Sequence, residues 1–273
     1  MGRIAIGRAA ALTFALAVTA TGVVGIATAG SAATDANGNF AVLDVDVSPP
    51  QAGTKAVPRG VGIALHAFFG NSRNGQRSPY NGDTLIRFPR GMRTNAARFP
   101  VSCPLPATSN DVAIESRCPA KARVGSGTAE ADARPTIQDF LPATINAYNG
   151  ALHNGHPTLI LMVTATVGNS QLHSEVDYEY SNQPTGPYGA KLASFHPVPD
   201  STAGFLSPRK LDLTLPNKVF KVKVKGKKVR LHLLEAPTKC SIGWAFAQTS
   251  FTPAGDASLT ATDVAPCVRA SRH

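Results

Sequence analysis

Phe220-Lys-Val-Lys-Val-Lys225-Gly226-Lys-Lys-Val-Arg-Leu-His-Leu233 alternates apolar and basic residues with a period of two. Successive side chains of a strand point to opposite faces. Phe220, Val222 and Val224 therefore share one face, and Lys221, Lys223 and Lys225 the other. Gly226 marks a turn. The return strand places Val229, Leu231 and Leu233 on one face and Lys228, Arg230 and His232 on the other. The spacing predicts a β-hairpin with an apolar side for a core and a cationic side turned outward. Like charges directly opposite in a ladder repel. Water and salt can relieve this, and lysines at a sheet edge also discourage strand-on-strand aggregation. An anionic partner is a sharper answer, and an acidic strand of the same chain is a third.

The same period recurs upstream. Asn39 to Val47 sets Ala41, Leu43, Val45 and Val47 against Val42, Asp44 and Asp46, and Pro49-Pro50 ends it. Further strands are expected over Val61–Phe69, Thr84–Phe88, Arg123–Asp132, Pro142–Tyr148, Thr158–Val167, Leu172–Tyr180, Lys191–Phe195, Leu211–Leu215, Ile242–Phe251 and Ala257–Val264. Thr158–Val167 is apolar at nearly every residue, as a strand buried on both faces would be. Gly125 and Gly127 allow a bulge or a tight bend. Many short strands broken by Pro and Gly, with no long helical pattern, predict an all-β fold, an antiparallel β-sandwich. Two packed β modules, divided near 135–142, are the variant of this reading. An echo supports it: a strand ends at Pro89 and another at Pro216, and Pro100 and Pro237 each stand three residues before a cysteine.

The N-terminus carries Arg3 and Arg8, then no charge until Asp35, with an Ala-, Val- and Gly-rich run between. Ser31-Ala32-Ala33 offers the small residues that a leader peptidase reads. Residues 1–33 are predicted to be a secretory signal peptide and 34–273 the mature domain. A retained membrane anchor is the rival reading. No later apolar run is long enough to cross a bilayer. The formal charge of the whole chain is +10; residues 1–33 hold two arginines and no acid, so the mature part carries +8. All four cysteines, Cys103, Cys118, Cys240 and Cys267, lie in the mature part. An even number outside the cytoplasm reads as two disulfides. Three pairings are open. Cys103–Cys118 with Cys240–Cys267 is preferred, because each pair brackets one short segment.

Glu175-Val-Asp177-Tyr-Glu179 carries the one candidate reaction. It looks like the Glu-x-Asp-x-Glu strand of β-jelly-roll endoglucanases. That likeness implies Glu175 as nucleophile, Glu179 as acid/base and Asp177 tuning the pair. A retaining mechanism needs the carboxyls about 5–5.5 Å apart. Four residues of flat strand put the Cα atoms about 13 Å apart, so the strand would have to bend. The competing reading is an acidic face that is solvated or that pairs with Lys221, Lys223 and Lys225. Other chemistries find no motif. His153 and His156 lack a third ligand, no Cys-x-x-Cys occurs, and no metal is expected. Gly125-x-Gly127 lacks the rest of a nucleotide fingerprint, so no cofactor is expected. One Trp and few other aromatics, with no binding motif, argue against nucleic acid despite the positive charge.

Several pieces, in order, resemble an uncharacterised class of secreted, β-rich proteins of Actinobacteria. They are Ser48-Pro-Pro-Gln-Ala-Gly-Thr-Lys55, Phe88-Pro-Arg-Gly91, the region of Cys103 and Cys118-Pro, and Val124-Gly-Ser-Gly-Thr-Ala129. Gly186-Pro-Tyr-Gly-Ala-Lys191, Lys225-Gly-Lys-Lys228 and the Cys240–Cys267 block with Phe251 and Gly255 continue the match. The resemblance spans most of residues 45–267. It implies export and a disulfide-bearing β fold, and no activity. The expectation is thus a secreted, envelope- or wall-associated, non-enzymatic protein. It would bind an anionic envelope polymer through Lys221, Lys223, Lys225, Lys228 and Arg230. The glycoside hydrolase is the alternative.

Overall fold

The computed structural model describes residues 31–73, 77–134, 140–197, 207–240 and 242–269. The leader expected over 1–33 lies outside them up to residue 30. The first strands are β1 (Ala33–Thr34), β2 (Asn39–Ser48), β3 (Gly62–Asn71), β4 (Thr84–Pro89) and β5 (Arg93–Thr94). Then come β6 (Arg123–Asp132), β7 (Leu141–His153), β8 (His156–Val167), β9 (Ser170–Thr185) and β10 (Tyr188–Phe195). The last are β11 (Ser207–Leu215), β12 (Val219–Val224), β13 (Lys227–His232), β14 (Leu234–Glu235), β15 (Trp244–Phe251) and β16 (Ser258–Ala265). Among the described residues no helix is long and apolar enough to cross a membrane.

Twelve strands form one antiparallel sheet in the order β1-β2-β3-β11-β6-β7-β8-β9-β10-β4-β15-β16. The sheet curls until its ends meet. Ser31, just ahead of β1, bridges to Thr262 of β16. Farther along the seam, the Asp263 carboxylate accepts the Val45 N–H at 2.7 Å. Beyond β2, Ala52 donates to the Val268 carbonyl and Val268 to that of Pro50. The result is nearly a barrel. Its opposite walls face each other across one core, as the two sheets of a sandwich do.

Alternation builds that core. In β2 the side chains of Ala41, Leu43, Val45 and Val47 are buried while Asp44 and Asp46 face out. One cluster joins these with Ile63, Ile86, Ile145, Leu161, Tyr178, Leu213, Trp244 and Phe246, so strands from the whole chain share it. One sheet takes strands from both sides of the division suggested near 135–142. β11 lies between β3 and β6, and β6 and β7, on either side of the suggested division, pair with each other. Part of that division, 135–139, lies outside the described residues. β8 is buried on both faces as expected: Leu161 faces the main core, while Ile160 and Met162 sit beneath the loop that carries Cys103 and Cys118. The glycines of β6 have a reason too. A Cβ on Gly127 would stand 1.9 Å from the Asp212 carbonyl oxygen of β11, and the β6–β7 register shifts at Arg123/Gly125.

Both preferred disulfides form, Cys103–Cys118 and Cys240–Cys267. The first staples a loop to the sheet, with the Cys103 N–H on the Asn149 carbonyl and the Ala151 N–H on that of Cys103, each at 2.8 Å. The second holds the last described segment beside the β2–β3 connection.

Candidate functional site

The hairpin forms, but apart from the large sheet. β12 and β13 make a two-stranded sheet of their own. Their register sets Phe220 opposite Leu231 and Val222 opposite Val229 on one face, and Lys221 opposite Arg230 and Lys223 opposite Lys228 on the other. Lys225 and Gly226 form the turn, with φ of 48° and 78°. Two successive positive φ values are what a two-residue hairpin with right-handed twist requires. Lys225 is thus a turn residue, not the strand residue expected from the alternation. Phe220 anchors the inner face: it is buried and meets Phe99 edge-on, with 4.9 Å between ring centroids. Val222 and Leu231 pack half-buried against the main core.

The outer face carries Lys221, Lys223, Lys228 and Arg230, while Lys225 sits in the turn and Lys227 stands opposite Val224 beside it. All six are exposed. None of the six takes part in an ion pair among the described residues. Two like-charged pairs face each other directly across the ladder, an arrangement that costs stability. The acidic strand does not relieve it. β9 pairs with β8 and β10, so Glu175, Asp177 and Glu179 stand in another ladder.

Those acids share a face of β9, but they sit in three different settings. The stapled loop covers Glu175. Its carboxylate accepts the Ala113 N–H at 2.7 Å and the Arg117 guanidinium, and its side chain is 1% exposed. Arg117 also donates to the carbonyls of Pro104 and Asp111. Next to this pair, Glu115 accepts from Tyr148 Oη at 2.6 Å and from Asn146 Nδ2. Burial, then the Glu115 contact, pushes the Tyr148 phenol up to about 12. Asp177 is buried and its Oδ1 has no hydrogen-bond partner. Burial first, then the neighbouring Glu175 charge, pushes its carboxyl up to about 8, with Arg117 pulling the other way. Both causes favour the neutral acid at Asp177, which keeps an unpaired charge out of the interior beside the Glu175–Arg117 pair. Glu179 lies outside the loop, 2.7 Å from His153 Nδ1, and the His153 ring stacks on Phe195 at 4.3 Å. No partner for His153 is legible in the sequence; the fold sets it, at the end of β7, against Glu179 two strands away.

The register of β9 runs without a shift from Glu175 to Glu179 against both neighbours. Both oxygens of Glu175 are engaged beneath the loop, and Glu179 is held by His153. Among the described residues no group of three His, Cys, Asp or Glu could hold a metal ion. Two recesses exist elsewhere. One is lined by apolar residues including Phe88, Met92, Tyr180 and Leu234. The other has Phe68, Phe140 and Arg209, with the Arg209 guanidinium 3.6 Å from the Phe140 ring centroid and paired to Glu130. The second is also lined by Ser78, Ser207 and Asp132, but Asp132 is paired with Arg134 and the Ser207 hydroxyl donates to the Ser78 carbonyl.

Arg117 was not readable in advance as a partner of Glu175. It lies in an irregular loop, where no period indicates direction; the local Cys103–Cys118 pairing was the sole sign that this loop is held down.

The Asp177 carboxyl makes stability depend on pH. Its folded pKa lies above the unfolded value near 3.8. The stability it supplies is full below about pH 4 and is lost as pH rises towards about 8. Melting temperature should therefore fall between pH 5 and pH 9. Asp177→Asn, which imitates the neutral acid, should flatten that fall and be the more stable form at pH 9. Thermal melts at pH 5, 7 and 9 check this; parallel curves for the two proteins would refute a neutral Asp177.

Comparison with known protein families, curated proteins and solved structures finds no match.

Proposed function

We propose that the protein is exported and acts without catalysis, as a binding module at the cell envelope that docks on an anionic polymer through the β12–β13 hairpin. The observation that carries this reading is the outer face of that hairpin. Six exposed cations crowd a two-residue turn and its flanking strands, and none has an ion-pair partner among the described residues. A fold that keeps like charges opposite one another bears a cost that an external polyanion would remove. Two disulfides accord with an oxidising compartment. The closure of Glu175 under its loop leaves the acidic strand a structural role.

The test replaces Lys221, Lys223, Lys228 and Arg230 together with Gln. Retention on immobilised polyglutamate and on polyphosphate is compared with the parent. Each solvated contact is worth up to about 1 kcal/mol, so losing four should weaken binding by roughly tenfold or more. The melting temperature should hold or rise, because the facing repulsions are gone. Equal retention of parent and variant would reject the hairpin as the docking face.

A further inference from the structure

Alternation along β2 and β3 turns Phe40 and Phe68 away from the core, and a row of flat groups starts there. The two rings stack with 5.7 Å between centroids. The Arg209 guanidinium lies 5.6 Å from the Phe68 ring centroid and 3.6 Å from that of Phe140. The Arg134 guanidinium lies 5.1 Å from the Phe140 centroid. All five groups line one recess of about 540 Å³, open to solvent. The three rings are half-buried, so each keeps part of its surface towards that space.

Local structure sets the row up. Phe40 stands opposite Gly70 in the β2–β3 ladder. A Cβ on Gly70 would stand 2.7 Å from the tip of the Phe40 ring, so glycine lets the ring lie across β3. The β6–β11 register shifts between Pro208 and Lys210 and leaves Arg209 as the extra residue. A bulge of this kind re-aims the side chain it carries, and here it carries Arg209 into the stack. Glu130 then holds one end of the guanidinium, accepting from Nη1 at 2.5 Å. Nε and Nη2 have no acceptor among the described residues, and the side chain is 33% exposed. Those two N–H groups share one edge of the guanidinium, the fork that takes both oxygens of a carboxylate. The neighbouring arginine shows the fork in use: Arg134 donates from Nε at 3.0 Å and from Nη2 at 2.6 Å to the two oxygens of Asp132.

We propose that this recess binds a small aryl carboxylate, with its carboxylate on the Nε–Nη2 fork of Arg209 and its ring against Phe40, Phe68 and Phe140. Flat apolar walls with one fixed polar anchor are what a small-molecule site needs. Glu130 and the two flanking rings fix the guanidinium in advance, so little order is lost on binding. The site uses no residue of the β12–β13 hairpin and does not depend on the reading of that hairpin.

The test is a chemical-shift titration of the isotope-labelled protein with phenylacetate. Phenylacetamide keeps the ring and loses the charge; cyclohexylacetate keeps the charge and loses the aromatic plane. A ligand of this size should reach an affinity of about 1 mM, so each probe is taken to about 20 mM. Saturable shifts centred on Phe68, Phe140 and the Arg209 side chain are expected with phenylacetate. Without the charge-assisted pair, binding of the amide should be about tenfold weaker. Without the aromatic plane, binding of the cyclohexyl acid should be about threefold weaker. Arg209→Lys keeps a cation for Glu130 but not the fork, and should weaken phenylacetate binding by about tenfold. Shifts that do not saturate, that centre on Lys221 to Arg230, or that are equal for phenylacetate and either control overturn the proposal. So does an Arg209→Lys protein that binds phenylacetate as the parent does. The titrations of the parent decide the matter even if the variant folds poorly.

Discussion

Arg117→Met is expected to cost about 3–5 kcal/mol of stability, the size seen when one partner is taken from a buried ion pair. The Arg117 side chain is 12% exposed and that of Glu175 is 1% exposed. Removing the guanidinium leaves Glu175 with the Ala113 N–H and the Asp177 carboxyl, and no cation. It also frees the Pro104 and Asp111 carbonyls, so the loop loses one tie to the sheet and two braces of its own. A urea titration should show a lower midpoint with little change in slope. Combining it with Glu175→Gln should cost less than the two single changes summed, because the stranded charge is gone. A loss under about 1 kcal/mol for the single variant would mean that the pair behaves as a surface pair does, and that the loop is not fastened by it.

Trp244→Ala is the second large effect. Trp244 is 2% exposed and begins β15, packed in the core that all the main strands share. Its indole N–H donates to the Lys239 carbonyl at 3.1 Å, next to the Cys240–Cys267 bridge. Truncating a buried aromatic to Ala costs about 3–5 kcal/mol. At the size of this domain that should lower the melting temperature by about 10 °C. Trp244→Phe keeps most of the ring volume and should lose clearly less. If the two variants melted together, the indole hydrogen bond rather than packing would be the main term.

These two residues also show what the sequence could and could not reveal. Trp244 and its strand were legible, though the strand expected from Ile242 begins two residues later. So were β2, the acidic strand, the hairpin and the glycines of β6, each of which follows from a local period or a local steric need. The two disulfides were legible from their short spans. Strand order was not. β11 reaches its place between β3 and β6 through contacts with residues 75 or more positions away, and no local pattern encodes such a pairing. The acidic strand shows the same limit at a site. Its shared face was legible and its partners were not: Arg117 and His153 reach it from a loop and a turn, and the lysines offered as one alternative partner stand in a separate hairpin.

The most direct measurement is a chemical-shift map of the isotope-labelled protein as a soluble anionic oligomer, short polyglutamate or polyphosphate, is added. The hairpin reading predicts that the amide and lysine side-chain signals of Lys221 to Arg230 move first and furthest, that added salt reverses the movement, and that Glu175, Asp177 and the apolar recess stay still. Shifts centred on the β9 face or on either recess, with the hairpin signals unmoved, would contradict it.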